Sequence, residues 1–406
     1  MATPHLQIRP GNPAFLDLPW EKGVNEWGSN RLVDMPAGIH RHPVVFVAYD
    51  EGIYVIKELP ERLARNEFEV LGALEDLTHK AAEPVGLVER RWLDPGEEQS
   101  AAVITRFVQH SFPYRHLVSG PGFGPRRSQM LHSLASLMVE LHLTGCFWGD
   151  CSLSNVLYRY DAGEIEAIMI DAETSELHQE LSDGQREQDM GILVENLAGE
   201  MADIANEQGA SIDEADLSLG EDVETRYQSL WAELHQVLVI ARDESYKVRE
   251  RINRLHELGF SVRDVEMEPS GEGELVKMRA RVGGRTYNSD NLASMAGVVA
   301  SENQARVILG DLNYHLVKYG HTTPTGRDVG VFHWLTTSFQ PILARITEVW
   351  PGDDPVQGYC DFLHYRMELA RGAGHDIENE PALESWIEKG FPGFPLDTDR
   401  VDFDRF

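Results

Sequence analysis

Three polar residues within residues 141–173 constrain this chain more than any other feature. Asp150 and Asn155 are separated by five positions, with Leu153 and Val156 as apolar anchors, and Asp171 ends the apolar run 167–170. A helical pattern precedes Asp150, and two short strand patterns separate Asn155 from Asp171. Alone, each residue is more often a turn or cap residue. Together, a loop, a hairpin and a strand end predict one shared site.

The residue types and their spacing fit phosphoryl transfer from ATP. That reaction needs one carboxylate to orient the acceptor hydroxyl, and an Asn and a second Asp to hold magnesium. Kinases separate the Asp and Asn of their catalytic loop by five positions. The pattern therefore predicts Asp150 as the base, with Asn155 and Asp171 as ligands of Mg²⁺.

A strand meander upstream supplies two more candidates. Strand patterns cover residues 32–35, 44–49 and 54–57, and Lys57 closes the third strand, where kinases place the lysine that binds the α- and β-phosphates. A helix is predicted over residues 61–77, and Glu67 is preferred to Glu69 as the partner of Lys57. The alternative is that these are solvated surface charges.

The turn that would cover the phosphates departs from the kinase pattern. No G-x-G-x-x-G motif lies between the first two strands, and only Gly38, followed by Arg41 and histidines, is present. This turn is predicted to contact phosphates through backbone amides, helped by Arg41 or a histidine. The glycines of residues 120–125 follow no suitable strand, and the prolines among them lack N–H donors, so a surface loop is predicted there.

The remaining segments give coarser expectations. Residues 1–30 are predicted to be an irregular lead-in packed by Trp20 and Trp27, residues 102–108 a strand, and residues 128–144 a helix stopped by Gly145. Asp189, at the start of a later helix, either braces the catalytic loop or is an ordinary residue of a helix N-terminus. Helices are predicted to continue to about residue 258.

The last third of the chain carries no catalytic pattern. A short hairpin is predicted from residues 261–268 and 274–282, followed by helices, one of which opens with a capping box at Ser301. Lys277, Arg279 and Arg281 alternate along one strand, so they share a face. That face is either a local basic patch or a solvated surface balanced by neighbouring acids, Glu266, Glu268 and Glu274.

Composition limits the partners and the compartment. Acidic residues outnumber basic ones by 67 to 36, a net charge of −31, which disfavours nucleic acid as a partner. No apolar run reaches the length of a transmembrane segment, and the N-terminus lacks a signal pattern, so a cytoplasmic protein is expected. Three cysteines, Cys146, Cys151 and Cys360, fit a reducing compartment as packing thiols.

Several stretches resemble a known family. LHLTGCFWGDCSLSNVLYRYDAG, VIKELPERLARNEFEVL and ENQARVILGDL are similar to an uncharacterised actinobacterial family of kinase-like proteins. Its members are labelled lipopolysaccharide-kinase-like (Kdo-kinase-like) and carry a C-terminal domain of unknown function. The resemblance implies an α+β, two-lobed protein-kinase-like fold with a small β-rich N-lobe and a helical C-lobe. It also implies Lys57, Glu67, Asp150, Asn155 and Asp171 in the roles argued above.

The expected domains follow from this resemblance. A kinase-like domain spans residues 1–258, with an N-lobe over about 15–108 and a C-lobe over about 109–258. A mostly helical domain with a short β-hairpin spans residues 259–392, and residues 393–406 form a tail.

The expected activity is transfer of the γ-phosphate of ATP, with Mg²⁺, to a hydroxyl of an unidentified acceptor. Trp148-Gly149 stands where protein kinases have His-Arg, and no Ala-Pro-Glu landmark follows Asp171. A small-molecule or glycan acceptor is therefore favoured over a peptide. Two alternatives stay open: a nucleotide-binding pseudokinase or regulatory binding protein, and nucleotidyl transfer on the same fold.

Overall fold

The structure is a computed structural model, and it describes residues 3–35, 41–75, 77–116, 126–208, 217–241, 244–270, 275–321 and 323–394. Helices make up 49% of it and strands 20%, so the chain is a mixed α/β protein. The Gly38 turn, the stretch 120–125 and the tail from residue 395 lie outside the described residues. No helix among the described residues is both long enough and apolar enough to cross a bilayer.

The chain forms two compact units. One comprises Met1–Tyr158 and Ala167–Leu230, and the other comprises Arg159–Glu166 and Trp231–Phe406. The units therefore divide between Leu230 and Trp231, except that residues 159–166 also belong to the second unit. The domain limits expected at residues 258 and 392 stay predictions.

The elements of the chain as far as Leu234 are eleven strands, four α-helices and three short 3-10 helices among the described residues. The strands are β1 (His5–Ile8), β2 (Leu32–Val33), β3 (Val44–Tyr49), β4 (Gly52–Leu59), β5 (Pro84–Glu89), β6 (Ala101–Arg106), β7 (Ser111–Pro113), β8 (Cys146–Phe147), β9 (Val156–Asp161), β10 (Glu164–Met169) and β11 (Glu176–Leu177). The helices are α1 (Glu61–Glu75), α2 (Arg127–Leu143), α3 (Asp183–Gln208) and α4 (Leu219–Leu234).

Six of these strands form one antiparallel sheet in the order β1-β5-β6-β4-β3-β2. Because side chains alternate along a strand, Ala102 and Ile104 of β6 face the cluster that includes both lead-in tryptophans, while Val103 faces α1. Phe68 anchors α1 there, and burial of one such side chain contributes about 1.5–3 kcal/mol. Lys57, near the end of β4, pairs with Val44 and Val103 at the centre of the sheet.

The lead-in is more ordered than the sequence predicts. His5–Ile8 form the edge strand β1, which pairs with β5, so residues 1–30 are not wholly irregular. Four residues of alternating polarity are too short a signal to separate from coil. Trp20 and Trp27 are buried and pack edge to face with ring centroids 5.0 Å apart.

Helix α2 ends where Gly145 requires it to end. Gly145 has φ +80°, and a Cβ there would lie 2.0 Å from the carbonyl oxygen of His178. Only glycine satisfies both conditions. The chain then passes through β8, the loop that carries Asp150, and the β9–β10 hairpin.

The remaining elements are three strands, seven α-helices and one π-helical turn among the described residues. They are β12 (Leu238–Ala241), α5 (Ser245–Glu257), β13 (Val262–Ser270), β14 (Leu275–Val282), α6 (Tyr287–Ala296), α7 (Glu302–Lys318), α8 (Pro324–Trp334), the π-helix Leu335–Phe339, α9 (Gln340–Val349), α10 (Pro355–Ala373) and α11 (Asn379–Glu388). Helices α6 to α11 enclose an apolar core that contains Trp334, Tyr359 and Trp386.

The predicted hairpin of this half is a three-stranded sheet in the order β12-β14-β13. Strand β12 was expected to be helical, because a four-residue apolar run between helices has no distinguishing periodicity. The three alternating cations of β14 each lie opposite an acid of β13: Lys277 opposite Glu268, Arg279 opposite Glu266, and Arg281 opposite Asp264. The charged face is therefore balanced across the strands by Glu266 and Glu268, as the second expectation had it, and also by Asp264. Glu274, the third acid of that expectation, lies outside the described residues.

Candidate functional site

The loop that carries Asp150 is fixed by a carboxylate from behind. Asp189 of α3 accepts hydrogen bonds from the backbone amides of Trp148 and Gly149, both at 2.8 Å, and from His142 Nε2 at 3.1 Å. Burial alone would raise the pKa of Asp189, but these hydrogen bonds outweigh burial and hold it below its usual value. Asp189 therefore has the geometry of a brace for the loop.

Two further residues of α3 hold the same loop, and sequence reasoning missed both. Glu200 accepts the backbone amides of Leu153 and Ser154 at 2.8 and 2.9 Å. Asn196 donates to the carbonyl oxygen of Cys151 at 2.9 Å, and its Nδ2 lies 3.4 Å from Asp150 Oδ1. Positions 189, 196 and 200 share one helical face. Polar residues at that spacing beside an apolar stripe are a signal that could have identified them.

Asn155 is oriented by its own loop. Its Nδ2 donates to the carbonyl oxygen of Asp150 at 3.0 Å, and its backbone carbonyl accepts the amide of Ile170 at 3.0 Å. Because the amide nitrogen is used in this way, the side-chain oxygen is the atom left to bind a cation. The bond to Ile170 also sets Asn155 beside the residue that precedes Asp171.

Lys57, Glu67 and Asp171 meet as an ion-pair cluster. Lys57 Nζ lies 2.7 Å from Glu67 Oε2, 2.9 Å from Asp171 Oδ2 and 3.4 Å from Glu173 Oε2. Burial alone would lower the pKa of Lys57, but Glu67 and Asp171 outweigh it, so the pKa lies above its usual value and the lysine stays cationic. The side chain of Glu67 is only 2% exposed, so it is committed to this partner.

The three carboxylates of this cluster also fit a divalent cation. Oxygen atoms of Glu67, Asp171 and Glu173 lie within 4.8 Å of one another, and this group is a candidate metal site among the described residues. Mg²⁺ prefers carboxylate, amide and water oxygens and uses only one or two carboxylates. Asp171 is the most exposed of the three, and Glu173 is a neighbour that sequence reasoning placed in no role.

The segment after Asp171 is attached to α1 and to the residues just before β3. Asn66 donates to the carbonyl oxygens of Ser175 and Glu173 at 2.9 and 3.1 Å. Buried His42 contacts Glu173 at 3.1 Å through Nε2 and Glu98 at 2.6 Å through Nδ1. The helix that carries Glu67 and the segment that carries Asp171 are therefore held together independently of Lys57.

The structure gives less information about the other residues that the sequence singled out. Gly38 lies outside the described residues, and Arg41, at the edge of that gap, is exposed. Their expected contacts with phosphate stay predictions. Cys146 and Cys151 are buried thiols, and burial raises the pKa of Cys146 to about 12. The structure thus brings Lys57, Glu67 and Asp171 into contact and ties Asn155 to the loop of Asp150.

The second unit contains a cavity of about 720 Å³ that none of the predicted site residues lines. Arg366 in its wall donates to the carbonyl oxygen of Ile377, to Asn379 and to Asp376, and lies 3.4 Å from Asp311. Arg366 and its acidic neighbours pair with one another, so they do not indicate which class of ligand the cavity would bind.

Comparisons with known proteins place a different match on each half of the chain. Residues 51–215 match the lipopolysaccharide kinase (Kdo/WaaP) family, and residues 229–391 match a domain of unknown function, DUF4032. These two matches confirm the resemblance inferred from the sequence. Among solved structures, WaaP in complex with acyl carrier protein is similar, with 13% sequence identity and a TM-score of 0.34, over 57% of this chain and 89% of that chain. No curated protein matches this chain.

Proposed function

We propose that this chain, in which a segment of the lipopolysaccharide kinase (Kdo/WaaP) family precedes a domain of unknown function, is an ATP-dependent phosphotransferase that uses Mg²⁺. The acceptor in this proposal is a hydroxyl of a small molecule or glycan. The six-stranded sheet with α1 corresponds to the small lobe of a kinase-like fold, and α2 to α4 belong to the larger lobe.

The contact of Lys57 with both Glu67 and Asp171 is the observation that carries the proposal. Desolvating ions costs several kcal/mol each, so a buried lysine with two carboxylate partners adds little to stability and is better explained by a function of its charge. In phosphoryl transfer the lysine binds nucleotide phosphates while the helix glutamate fixes its position. The 2.7 Å pair with Glu67 supports that assignment.

Each remaining residue has a task in this proposal. Asp171 and the side-chain oxygen of Asn155 hold Mg²⁺, which when bound neutralises charge on the phosphate oxygens. Asp150 accepts the proton of the acceptor hydroxyl while that oxygen bonds to the γ-phosphorus and the bond to the bridging oxygen breaks. Asp189, Asn196 and Glu200 keep the loop in place.

Analysis of the products from ATP tests this function. The full chain is incubated with ATP and Mg²⁺, and nucleotides are separated by chromatography and identified by mass. ADP is the expected product, formed slowly because water replaces the natural acceptor. AMP would instead support nucleotidyl transfer, and unchanged ATP with a measurable binding isotherm would support a binding protein. Either result would overturn the proposal.

A further inference from the structure

The tip of the β9–β10 hairpin belongs to the second unit, which includes Arg159–Glu166, and is held within it. Asp161, the last residue of β9, is 1% exposed. Its carboxylate accepts the Ser301 hydroxyl at 2.6 Å and the backbone amide of Gln304 at 2.7 Å. It also accepts the backbone and side-chain amides of Asn303 at 3.1 and 2.9 Å. Four hydrogen bonds from the start of α7 thus converge on one buried carboxylate.

The other residues of the tip are fixed as well. Ala162 donates its backbone amide to Gln357 Oε1 of α10 at 2.9 Å, and its side chain belongs to the apolar core of α6 to α11. Its φ is +49°, a conformation that a non-glycine residue keeps only where its surroundings hold it there. Gly163 leaves no room for a Cβ, which would lie 2.7 Å from the ring of Phe394.

The same hairpin begins and ends at two candidate metal ligands. Asn155 immediately precedes β9, and Asp171 follows β10 by two residues. The bond from the Ile170 amide to the Asn155 carbonyl closes the base of the hairpin. The separation of the two ligands therefore depends on how these two strands pair, and β9 also pairs with β7 in a three-stranded sheet of order β10-β9-β7.

We propose that residues 231–406 of the second unit, most of which match only a domain of unknown function, serve to anchor this hairpin, and that Asp161 is a positioning residue for Asn155 and Asp171. The expected effect on the Mg²⁺ requirement rests on the proposed function, whereas the expected effect on the mobility of the hairpin does not. Removing the anchor leaves buried amides of α7 without an acceptor and removes the hydrogen bonds that fix the tip of the hairpin.

Three variants of the full chain test the anchor. Asp161→Asn removes the carboxylate, and the milder Ser301→Ala removes one donor to it. Thr323→Ala is the matched control, because Thr323 caps α8 of the same unit through the amide of Gly326 at 3.1 Å. Both variants delete the hydroxyl of an N-cap residue, but only the Ser301 hydroxyl contacts the hairpin.

Two measurements distinguish the anchor from the proposed function. Hydrogen exchange without any ligand should accelerate at residues 153–158 and 167–173 in Asp161→Asn and Ser301→Ala, and should match wild type in Thr323→Ala. The Mg²⁺ concentration for half-maximal ATP turnover should rise about ten-fold in Asp161→Asn, as for residues that orient metal ligands, with little change in the rate at saturating Mg²⁺.

Faster exchange confined to residues 159–166 would overturn the anchor, whatever the activity. An equal Mg²⁺ requirement in Asp161→Asn and Thr323→Ala would overturn its effect on the metal ligands. If wild type turns over no ATP, the proposed function fails, while the exchange data still decide whether the second unit holds the hairpin.

Discussion

At the scale of single residues, the candidate site depends on the balance between Lys57 and the carboxylates around it. One ammonium group faces Glu67, Asp171 and Glu173, so the cluster carries excess negative charge. A divalent cation or a bound metal–nucleotide complex would relieve that excess. This excess negative charge predicts that metal binding depends on the carboxylate of Asp171.

Asp171→Ala should abolish the part of ATP binding that depends on magnesium. In wild type, Mg²⁺ with ATP at 100 times its dissociation constant should stabilise the fold by about 2.7 kcal/mol. Thermal unfolding with ATP, with and without Mg²⁺, measures this. The control Asp50→Ala changes an exposed turn residue and should behave as wild type. An equal thermal shift with and without Mg²⁺ in wild type and Asp171→Ala would contradict the assignment.

Asp150→Asn should separate binding from turnover. The side chain acts on the acceptor and not on the nucleotide, so affinity for Mg-ATP should stay near wild type. Turnover should fall by about 10²–10⁴, the usual contribution of a positioned general base. Calorimetric titration and the ADP assay measure the two quantities. Turnover at the wild-type rate would show that Asp150 is not the base.

At the scale of elements, α3 organises the catalytic loop. Asp189, Asn196 and Glu200 lie on one helical face and bind the loop from Trp148 to Ser154. The loop has no regular strand partner along most of this length, so these side chains satisfy its backbone groups. The conformation of the loop is therefore fixed by side chains of α3 and not by the loop residues alone.

Asp189→Asn should destabilise the protein in a pH-dependent manner. The folded pKa of Asp189 lies below its usual value, so its stabilisation is complete above the unfolded pKa of about 3.9 and is lost as pH falls through the folded pKa. Near pH 7 the loss should be about 1.5–3 kcal/mol.

Urea unfolding over a range of pH measures this difference, which should narrow in acid. Asp203→Asn, an exposed change on the same helix, should show no such dependence. A difference between Asp189→Asn and wild type that stays constant down to the lowest accessible pH would contradict the role of the ionised carboxylate.

The ion pairs between β13 and β14 lead to a prediction about salt dependence. Arg281 lies close to Asp264 and Glu266, and all three side chains are more than a third exposed. Arg281→Glu would place like charges together and should cost about 0.2–1 kcal/mol, more at low ionic strength because screening is weakest there. Activity should not change. Loss of ATP turnover at low salt, restored at physiological salt, would instead indicate a functional basic patch.

At the scale of the whole molecule, charge is strongly unbalanced. Even if each of the 36 basic side chains neutralised one acid, 31 of the 67 acidic residues would remain. Such self-repulsion destabilises the compact state and is screened by salt. The melting temperature should therefore rise when NaCl is increased from low to physiological concentration. A fall would show that attractive ion pairs dominate.

Much of the fold and of the candidate site could be predicted from local sequence. The spacing of Asp150, Asn155 and Asp171 predicts a loop, a hairpin and a strand end, and the structure has each of them in place. Gly145 and the apolar face of α1 are equally readable, because backbone sterics and periodicity act over a few residues. Lys57 and Glu67 were paired from their spacing along the chain, and the structure has them in contact.

Tertiary structure decided what depends on residues far apart in the chain. The edge strand β1 exists because β5 offers it hydrogen-bond partners 80 residues away, and β12 exists because β14 does. Asn196, Glu200 and His42 acquire their contacts only when distant segments meet. Asp161 reads as an ordinary strand-end residue, and only the fold shows its carboxylate buried against α7, because burial and hydrogen-bond partners are properties of the assembled core.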